Sequence, residues 1–295
     1  MFSAAELDYT LDPKHVSDIP DIKSGDEIFS DGCGLISRRL AIRLSKAMHI
    51  TYRGQRYTPT VFQIRYGFHL NSKHILHIAI RYLGYKGVLM LHPQLDTERK
   101  HLAHFRSSMK KFTTDVDHRF SVVNHSRPYV FGRLNNDIIV LLSSLGVSND
   151  AIRGKQQEYF NWIESASGDP VKAIDLLYCL GQYGLADNVL LKGLDDPTVF
   201  QQITKAQGSE IAGFKKGGDK FKSRMIIRNS RRLYGVCDPY GVLREGEVHI
   251  RVTVSRKGET TPIHADVLVV RNPCLHPGIL SALVTRSTPS DCRQR

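Results

Sequence analysis

The sequence changes its periodicity twice along its 295 residues, and this change constrains the fold more than any single motif. Residues 1–132 contain short apolar runs separated by turns, whereas residues 133–212 repeat apolar positions at helical spacing. From residue 225 onward, short apolar runs return. Because strands and helices do not alternate, the pattern predicts a β-rich α+β fold rather than a doubly wound α/β sheet.

Local signals place individual elements within this pattern. Ser37 is a predicted N-cap, and it precedes a helix in which Leu40 and Leu44 share the apolar face. The other predicted helices begin after Ser148, after Asp169-Pro170, and near 185 and 198, with an exposed linker over 213–222. The predicted strands are 61–65, 87–91, 225–227, 233–236, 247–254 and 267–271.

Composition narrows the compartment and the class of partner. No stretch of 18 uncharged apolar residues occurs, and residues 1–10 carry acids without an apolar core, so we expect neither a membrane partner nor a secretory signal. The five cysteines lack CxxC spacing, which is typical of an intracellular protein; nucleus and cytoplasm are not distinguished. The formal charge of +12 favours a polyanionic partner.

Several short motifs are explained best by ordinary structure. Gly32-Cys33-Gly34 suggests a dinucleotide loop, but Ser37 stands where the third glycine belongs, so a structural turn is favoured. Asp115-Val116-Asp117 could hold a divalent metal, yet a solvated turn is the better interpretation. The pairs His101/His104 and Cys274/His276 lack a second pair at zinc-ligand spacing, which favours packing.

Basic residues cluster near the ends of the predicted strands in the first 132 residues. Arg65 follows one strand, Lys86 precedes the next, and Arg106 opens a segment that ends with Lys110 and Lys111. Cations at the ends of neighbouring strands can converge on a groove that binds phosphate. A solvated charged surface explains the pattern equally well, and both interpretations stay open.

Seven segments resemble one family and stand in that family's order. They are Phe29 to Ser37 (FSDGCGLIS), Gln63 to Gly67 (QIRYG), Gly84 to Leu89 (GYKGVL), Arg106 to Phe112 (RSSMKKF), Ile138 to Val147 (IIVLLSSLGV), Arg231 to Val248 (RRLYGVCDPYGVLREGEV) and Arg271 to Gly278 (RNPCLHPG). On these segments the chain resembles the cellular RNA-dependent RNA polymerases of the RNA-silencing type, most nearly those of fungi.

The resemblance implies a fold and a division of the chain. The family's core consists of two double-psi β-barrels joined by helices. By this resemblance, residues 1–132 form the first barrel and residues 133–222 form the connecting helices and linker. Residues 223–278 begin a second, catalytic barrel that is truncated, and residues 279–295 are a tail outside the family.

The resemblance also implies a reaction and its partners. The family's activity is template-directed ribonucleotidyl transfer, in which a 3′-hydroxyl attacks the α-phosphate of a ribonucleoside triphosphate beside divalent ions, Mg²⁺ by expectation. The partners are a single-stranded RNA template and ribonucleoside triphosphates, with protein partners unknown. The residues that match the phosphate-binding positions of the first barrel are Arg65, Lys86, Arg106, Lys110 and Lys111.

The chain departs from the family at the catalytic loop. The family holds its metal with three aspartates of a DxDGD motif, and no DxDGD occurs in this sequence. Asp115 and Asp117 lie in the wrong barrel and lack the following Gly-Asp. We therefore expect a member of the polymerase family that is inactive as it stands. The alternative is a non-catalytic RNA-binding module.

A second departure lies between two of the matching segments. Deleting residues 68–83 would join Arg65-Tyr66-Gly67 directly to Gly84-Tyr85-Lys86, which is the family's uninterrupted form. These residues are therefore interpreted as a translated, unspliced intron. The alternative is a real inserted helix, since Leu70, His74, His77 and Arg81 lie roughly on one helical face.

Overall fold

The computed structural model describes residues 7–52, 54–64, 67–68, 79–80, 82–113, 119–215, 224–253, 260–274 and 276–285. The chain divides into two compact units. The first unit is Met1–Pro128 with Leu233–Val242, and the second unit is Tyr129–Arg232 with Leu243–Arg295. None of the described helices is both long enough and apolar enough to span a bilayer.

The described residues form seven α-helices and twenty strands. The helices are α1 (Arg38–Ala47), α2 (Pro93–Glu98), α3 (Asn136–Ser144), α4 (Asn149–Glu164), α5 (Pro170–Cys179), α6 (Tyr183–Lys192) and α7 (Pro197–Lys215). The strands of the first unit are β1 (Leu7–Thr10), β2 (Val16–Ile19), β3 (Lys23–Ser24), β4 (Glu27–Ile28), β5 (Cys33–Ile36), β6 (Thr51–Tyr52), β7 (Gln55–Arg56), β8 (Val61–Ile64), β9 (Gly67–Phe68), β10 (Ala79–Ile80), β11 (Gly87–Leu91), β12 (Ala103–Arg106) and β13 (Arg119–His125). The strands of the second unit are β14 (Gly132–Leu134), β15 (Met225–Ile227), β16 (Glu247–Val248), β17 (Arg251–Thr253), β18 (Thr260–Pro262), β19 (Asp266–Val270) and β20 (Leu280–Thr285).

Seven strands of the first unit form one mixed sheet in the order β1-β13-β8-β11-β5-β12-β2. β11 pairs parallel with β5, and β12 pairs parallel with β2, while the other neighbours are antiparallel. Phe62, Phe105 and Phe120, from three of these strands, are fully buried in one core. The sheet therefore encloses apolar side chains that are far apart in sequence.

Helix α1 covers part of this core, as its apolar spacing predicts. The Ser37 hydroxyl accepts a hydrogen bond from the backbone N–H of Leu40 at 3.2 Å, which confirms the predicted N-cap. Leu40, Ala41 and Leu44 are fully buried against the sheet. Burying three apolar side chains on one face is what stabilises a helix of only ten residues.

Residues 233–242 belong to the first unit although they follow the helices in the sequence. The Tyr240 ring stacks on His92 with ring centroids 5.4 Å apart. The prediction of a strand over 233–236 is wrong, because these residues are irregular. The Asp238 carboxylate accepts hydrogen bonds from the backbone N–H groups of Tyr240 and Val242, so the side chain builds a turn at the end of this segment.

Helices α3 to α7 form most of the second unit. The predicted caps are confirmed: Ser148 accepts from the N–H of Ala151, and Asp169 accepts from the N–H groups of Val171 and Lys172. Helix α7 runs to Lys215, so the expected short helix near 198–207 is longer than predicted. The first residues of the expected linker over 213–222 are therefore helical, and residues 216–223 lie outside the described residues.

A partly buried ion pair ties α4 and α7 to strand β14. The Arg133 guanidinium contacts both carboxylate oxygens of Glu210, and the Tyr159 hydroxyl donates to the same carboxylate at 2.6 Å. Burial lowers the pKa of Arg133, but the hydrogen bond and charge of Glu210 outweigh it and raise the pKa. Because the partners come from three elements, this ion pair links them inside the second unit.

The strands of the second unit form small sheets. β14 pairs with β15, β17 pairs with β18, and β16, β20 and β19 make a three-stranded sheet. Leu268 and Val284 of that sheet are exposed, by 62% and 58%. The mixed α+β organisation predicted from the sequence is confirmed, whereas the double-psi form of each barrel stays a prediction.

The segment 68–83 is described only at its ends. β9 pairs antiparallel with β10, so that Phe68 lies opposite Ala79. The predicted helical face of Leu70, His74, His77 and Arg81 lies outside the described residues. The choice between an intron and a real insert therefore stays a prediction.

Candidate nucleic-acid interface

A short backbone ladder brings three of the predicted basic residues together. The N–H of Lys86 donates to the Met109 carbonyl at 3.0 Å, and the N–H of Lys111 donates to the Gly84 carbonyl at 2.9 Å. Between these bonds, Tyr85 and Lys110 form an antiparallel bridge. Lys86, Lys110 and Lys111 are exposed. We call these three residues the lysine surface.

Packed and hydrogen-bonded groups lie beneath the lysine surface. The Lys110 ammonium lies 5.5 Å from the centroid of the Tyr85 ring, which is a cation–π distance. Tyr85 is buried, stacks on Phe105 at 4.5 Å, and donates its hydroxyl proton to Asp18. The Lys111 ammonium donates to the Ser108 carbonyl at 2.6 Å. The charges of Lys110 and Lys111 are therefore held by contacts to fixed groups.

Two glycines are required for the close approach of these segments. Gly84 and Gly87 have φ of +85° and +154°. A Cβ at Gly84 would lie 1.8 Å from the Phe112 carbonyl oxygen, and a Cβ at Gly87 would lie 2.1 Å from that of Gly32. Because each clash is with backbone, no side chain fits either position. The first and last residues of the segment 84–87 must therefore be glycine.

An aspartate that sequence reasoning missed anchors the segment preceding the lysines. The Asp21 carboxylate accepts the Ser108 N–H at 2.8 Å, the Ser108 hydroxyl at 2.6 Å and the Ser30 hydroxyl at 2.9 Å. Burial raises the pKa of Asp21, but the hydrogen bonds from Ser108 and Ser30 outweigh it and lower the pKa. A lone aspartate far from Ser108 in sequence gives no signal of this role.

Arg106 occupies a different environment from the three lysines. Its side chain is 7% exposed, and its guanidinium donates to the carbonyls of Cys33 and Pro20. These bonds connect the end of β12 to the first residue of β5 and to the residue that follows β2. The geometry therefore favours a supporting role beneath the lysine surface over direct contact with phosphate.

Other residues singled out from the sequence are not brought to this surface, or are not described. Arg65, Asp115 and Asp117 lie outside the described residues. The His101 and His104 rings meet edge-on at 5.6 Å, and Cys274 is buried beside Ile138 and Leu141. Within the part of the chain that the structure describes, no three His, Cys, Asp or Glu side chains are placed to hold a metal ion. The described His, Cys, Asp and Glu residues therefore do not fit a Mg²⁺ site.

Comparison with known proteins identifies the family. A family model described as RNA dependent RNA polymerase matches residues 1–280. The chain belongs to this RNA-dependent RNA polymerase family. The resemblance drawn from the seven sequence segments is thereby confirmed.

Curated relatives of this polymerase family cover nearly the whole chain. Probable RNA-dependent RNA polymerase 1 of Oryza sativa subsp. japonica is 31% identical over 98% of this chain and 36% of its own length. RNA-dependent RNA polymerase 2 of Arabidopsis thaliana is 27% identical over 96% of this chain and 24% of its own length. The chain thus spans about a third or less of these relatives.

A solved polymerase structure shares the fold. RNA dependent RNA polymerase QDE-1 from Thielavia terrestris superposes with a TM-score of 0.61, covering 98% of this chain and 33% of that one. Its sequence identity is 17%, so this likeness bears on the fold alone.

Proposed function

We propose that the lysine surface binds the phosphates of RNA, or of ribonucleoside triphosphates, within a polymerase that copies single-stranded RNA into double-stranded RNA. The observation that supports this most is the backbone ladder that places Lys86, Lys110 and Lys111 side by side. Fixed ammonium groups neutralise phosphate charge without first having to be ordered, and so bind it more tightly than mobile ones. From the sequence resemblance alone, Arg65 is proposed as a further phosphate-binding residue.

We also propose that the seven-stranded sheet is the first double-psi barrel of the family, within residues 1–132. Its two parallel pairs, β11 with β5 and β12 with β2, support this, because a simple antiparallel meander has none. Residues 133–222 are then the connecting helices and linker. Residues 223–278 begin the second barrel, and residues 279–295 are a tail.

This chain by itself does not transfer nucleotides in our proposal. The family's reaction needs divalent ions, Mg²⁺ by expectation, and the sequence contains no DxDGD motif to hold them. What the residues of this chain supply is binding and orientation of phosphates. The alternative function is a non-catalytic RNA-binding module.

The binding proposal is tested with labelled single-stranded RNA over a range of salt concentrations. Replacing Lys86 and Lys110 by alanine removes two exposed cations, so the slope of log K against log salt becomes shallower by about 1.4. The matched control is Lys23→Ala with Lys46→Ala, which removes two exposed lysines elsewhere in the first unit. Equal losses in the two double variants would contradict a dedicated surface.

An incorporation assay tests the proposed inactivity. Purified chain is incubated with single-stranded RNA, labelled ribonucleotides, and Mg²⁺ or Mn²⁺. The expected result is RNA binding without template-dependent incorporation. Incorporation above a protein-free blank would require a carboxylate site and would overturn the proposed inactivity.

The intron hypothesis for residues 68–83 has its own test. Amplifying the transcript across these codons should yield a spliced form that lacks them. If every transcript retains them, the segment is a real insert.

A further inference from the structure

The second unit contains an open groove at the Trp162 side chain. The residues that line this groove are distant in sequence from those of the lysine surface. It has a volume of about 870 Å³, and its lining includes Trp162, Val171, Lys172, Ile174, Asp175 and Arg228. We call it the Trp162 groove. Its residues come from α4, from α5 and from the end of β15. Neither the sequence motifs nor the family resemblance assigns it a role.

One wall of the Trp162 groove pairs an aromatic ring with a cation. The Arg228 guanidinium lies 5.6 Å from the centroid of the Trp162 ring and contacts the Asp175 carboxylate at 2.9 Å. The indole N–H donates to the same carboxylate at 3.1 Å. Asp175 therefore fixes both the ring and the guanidinium. Among the described residues, Asp175 is the only ion-pair partner of Arg228, whose side chain is 59% exposed.

The α5 side of the groove presents an exposed aliphatic side chain. Val171 is 73% exposed, whereas Ile174, one helical turn further along α5, is buried. Lys172 is exposed next to them. An exposed aliphatic side chain, an aromatic–arginine pair and two cations, Lys172 and Arg228, line the same groove, which suits a flat base attached to a phosphate.

The local charge favours an anionic occupant. Residues 224–232 contain four arginines and no acid, whereas residues 133–215 contain seven basic and ten acidic residues. The four arginines therefore form a basic strip that follows a helical segment with a net negative charge, so an anion is attracted to the strip rather than to the helices. Arg231, in the same strip, stacks on Tyr129 at 4.4 Å, and its buried Nε has no hydrogen-bond partner. Arginines stacked on aromatic rings are typical of surfaces that bind single-stranded nucleic acid.

We propose that the Trp162 groove binds one nucleotide of a single-stranded RNA. The base lies against Val171 and the outer face of the Trp162–Arg228 stack, and its phosphates contact Lys172 and Arg228. The inference goes beyond the proposed function, because it concerns the second unit and does not require the lysine surface.

The test uses the fact that Trp162 is the only tryptophan of the chain. The full chain is titrated with a single-stranded oligouridine of about ten nucleotides, and tryptophan fluorescence is recorded. The expected result is saturable quenching. Arg228→Gln should weaken this binding about tenfold, and Val171→Glu should weaken it similarly, since base stacking and a phosphate contact each contribute effects of that size. Circular dichroism verifies that each variant is folded. If Arg228→Gln does not fold, Arg228→Lys is used instead, because it keeps the charge and removes only the planar guanidinium.

The matched control is Arg153→Gln, which removes an exposed arginine from α4, the helix that carries Trp162, at a position outside the groove. The quenching reports Trp162, whereas the salt dependence of RNA binding in Lys86→Ala with Lys110→Ala reports the lysine surface, so failure of this inference is distinguished from failure of the proposed function. Absence of quenching, or equal losses in Arg228→Gln and Arg153→Gln, would overturn the inference. Quenching by an apolar peptide but not by oligouridine would overturn it in favour of a protein-docking site.

Discussion

Two strands of nearly the same composition have opposite environments in this molecule. β11 (GVLML) lies inside the seven-stranded sheet of the first unit, where Leu89 is fully buried. β19 (DVLVV) lies at the edge of the three-stranded sheet of the second unit, where Leu268 and Val269 are exposed. β11 has a strand on each side and a core against it, whereas β19 pairs only with β20.

The difference teaches that an apolar run predicts a strand but not its burial. The run fixes the extended backbone, because β-branched and aliphatic residues favour it in both places. Burial depends on which other strands and helices cover the run, and these come from distant parts of the sequence. The same signal therefore produces a core strand in one unit and an exposed edge in the other.

Truncating a core aromatic gives the largest expected contrast between the two sheets. Phe105 is fully buried, so Phe105→Ala should lower the free energy of unfolding by about 4 kcal/mol. Leu268→Ala, at the exposed strand, should change it by no more than about 0.5 kcal/mol. Urea unfolding of both variants measures this contrast, and similar losses would show that β19 is as well covered as the first sheet.

Removing the anchor beneath the lysine surface should have a smaller effect on the first unit. Asp21→Ala leaves three donors without their acceptor, so the free energy of unfolding should fall by about 2 kcal/mol. RNA affinity should fall as well, because Ser108 no longer fixes the segment that carries Lys110 and Lys111. The control is Asp26→Ala, at an exposed turn of the same unit. Equal stability of the two variants would exclude an anchoring role.

Mild acid should give the smallest loss of stability, and this loss should be confined to the first unit. Burial lowers the pKa of His92, His104 and His125 below the ordinary value of 6.5. The folded state therefore binds protons less readily than the unfolded state, so the stability is complete above pH 6.5 and is lost progressively below it. Residues 126–248 contain no histidine, so the helices of the second unit should not respond.

Hydrogen exchange at pH 7 and pH 5.5 measures this difference segment by segment. Lower protection factors, which correct for the slower intrinsic exchange in acid, are expected in β8, β11 and β12 at pH 5.5, with no change in α4 to α7. His104→Gln should reduce the effect on β12. An equal loss of protection in both units would contradict the assignment to buried histidines.

Part of the candidate site could be predicted from the sequence. The sequence predicts a role for Lys86, Lys110 and Lys111 because these cations stand near strand ends, and the backbone ladder brings them together. Asp21 could not have been found, because its partner Ser108 is 87 residues away in the chain. The burial of Arg106 was also beyond prediction, since an exposed and a buried arginine look the same in a sequence.

The sequence by itself determined the family, the order of strands, helices and strands, and the starts of helices at Ser37, Ser148 and Asp169. Caps and periodicity act over three or four residues, so a single sequence contains all that they need. The tertiary structure alone decided that residues 233–236 form no strand, that β19 stays exposed, and that Trp162 meets Arg228. These outcomes depend on pairing between residues far apart along the chain, where many alternatives are close in energy and only the assembled core selects one of them.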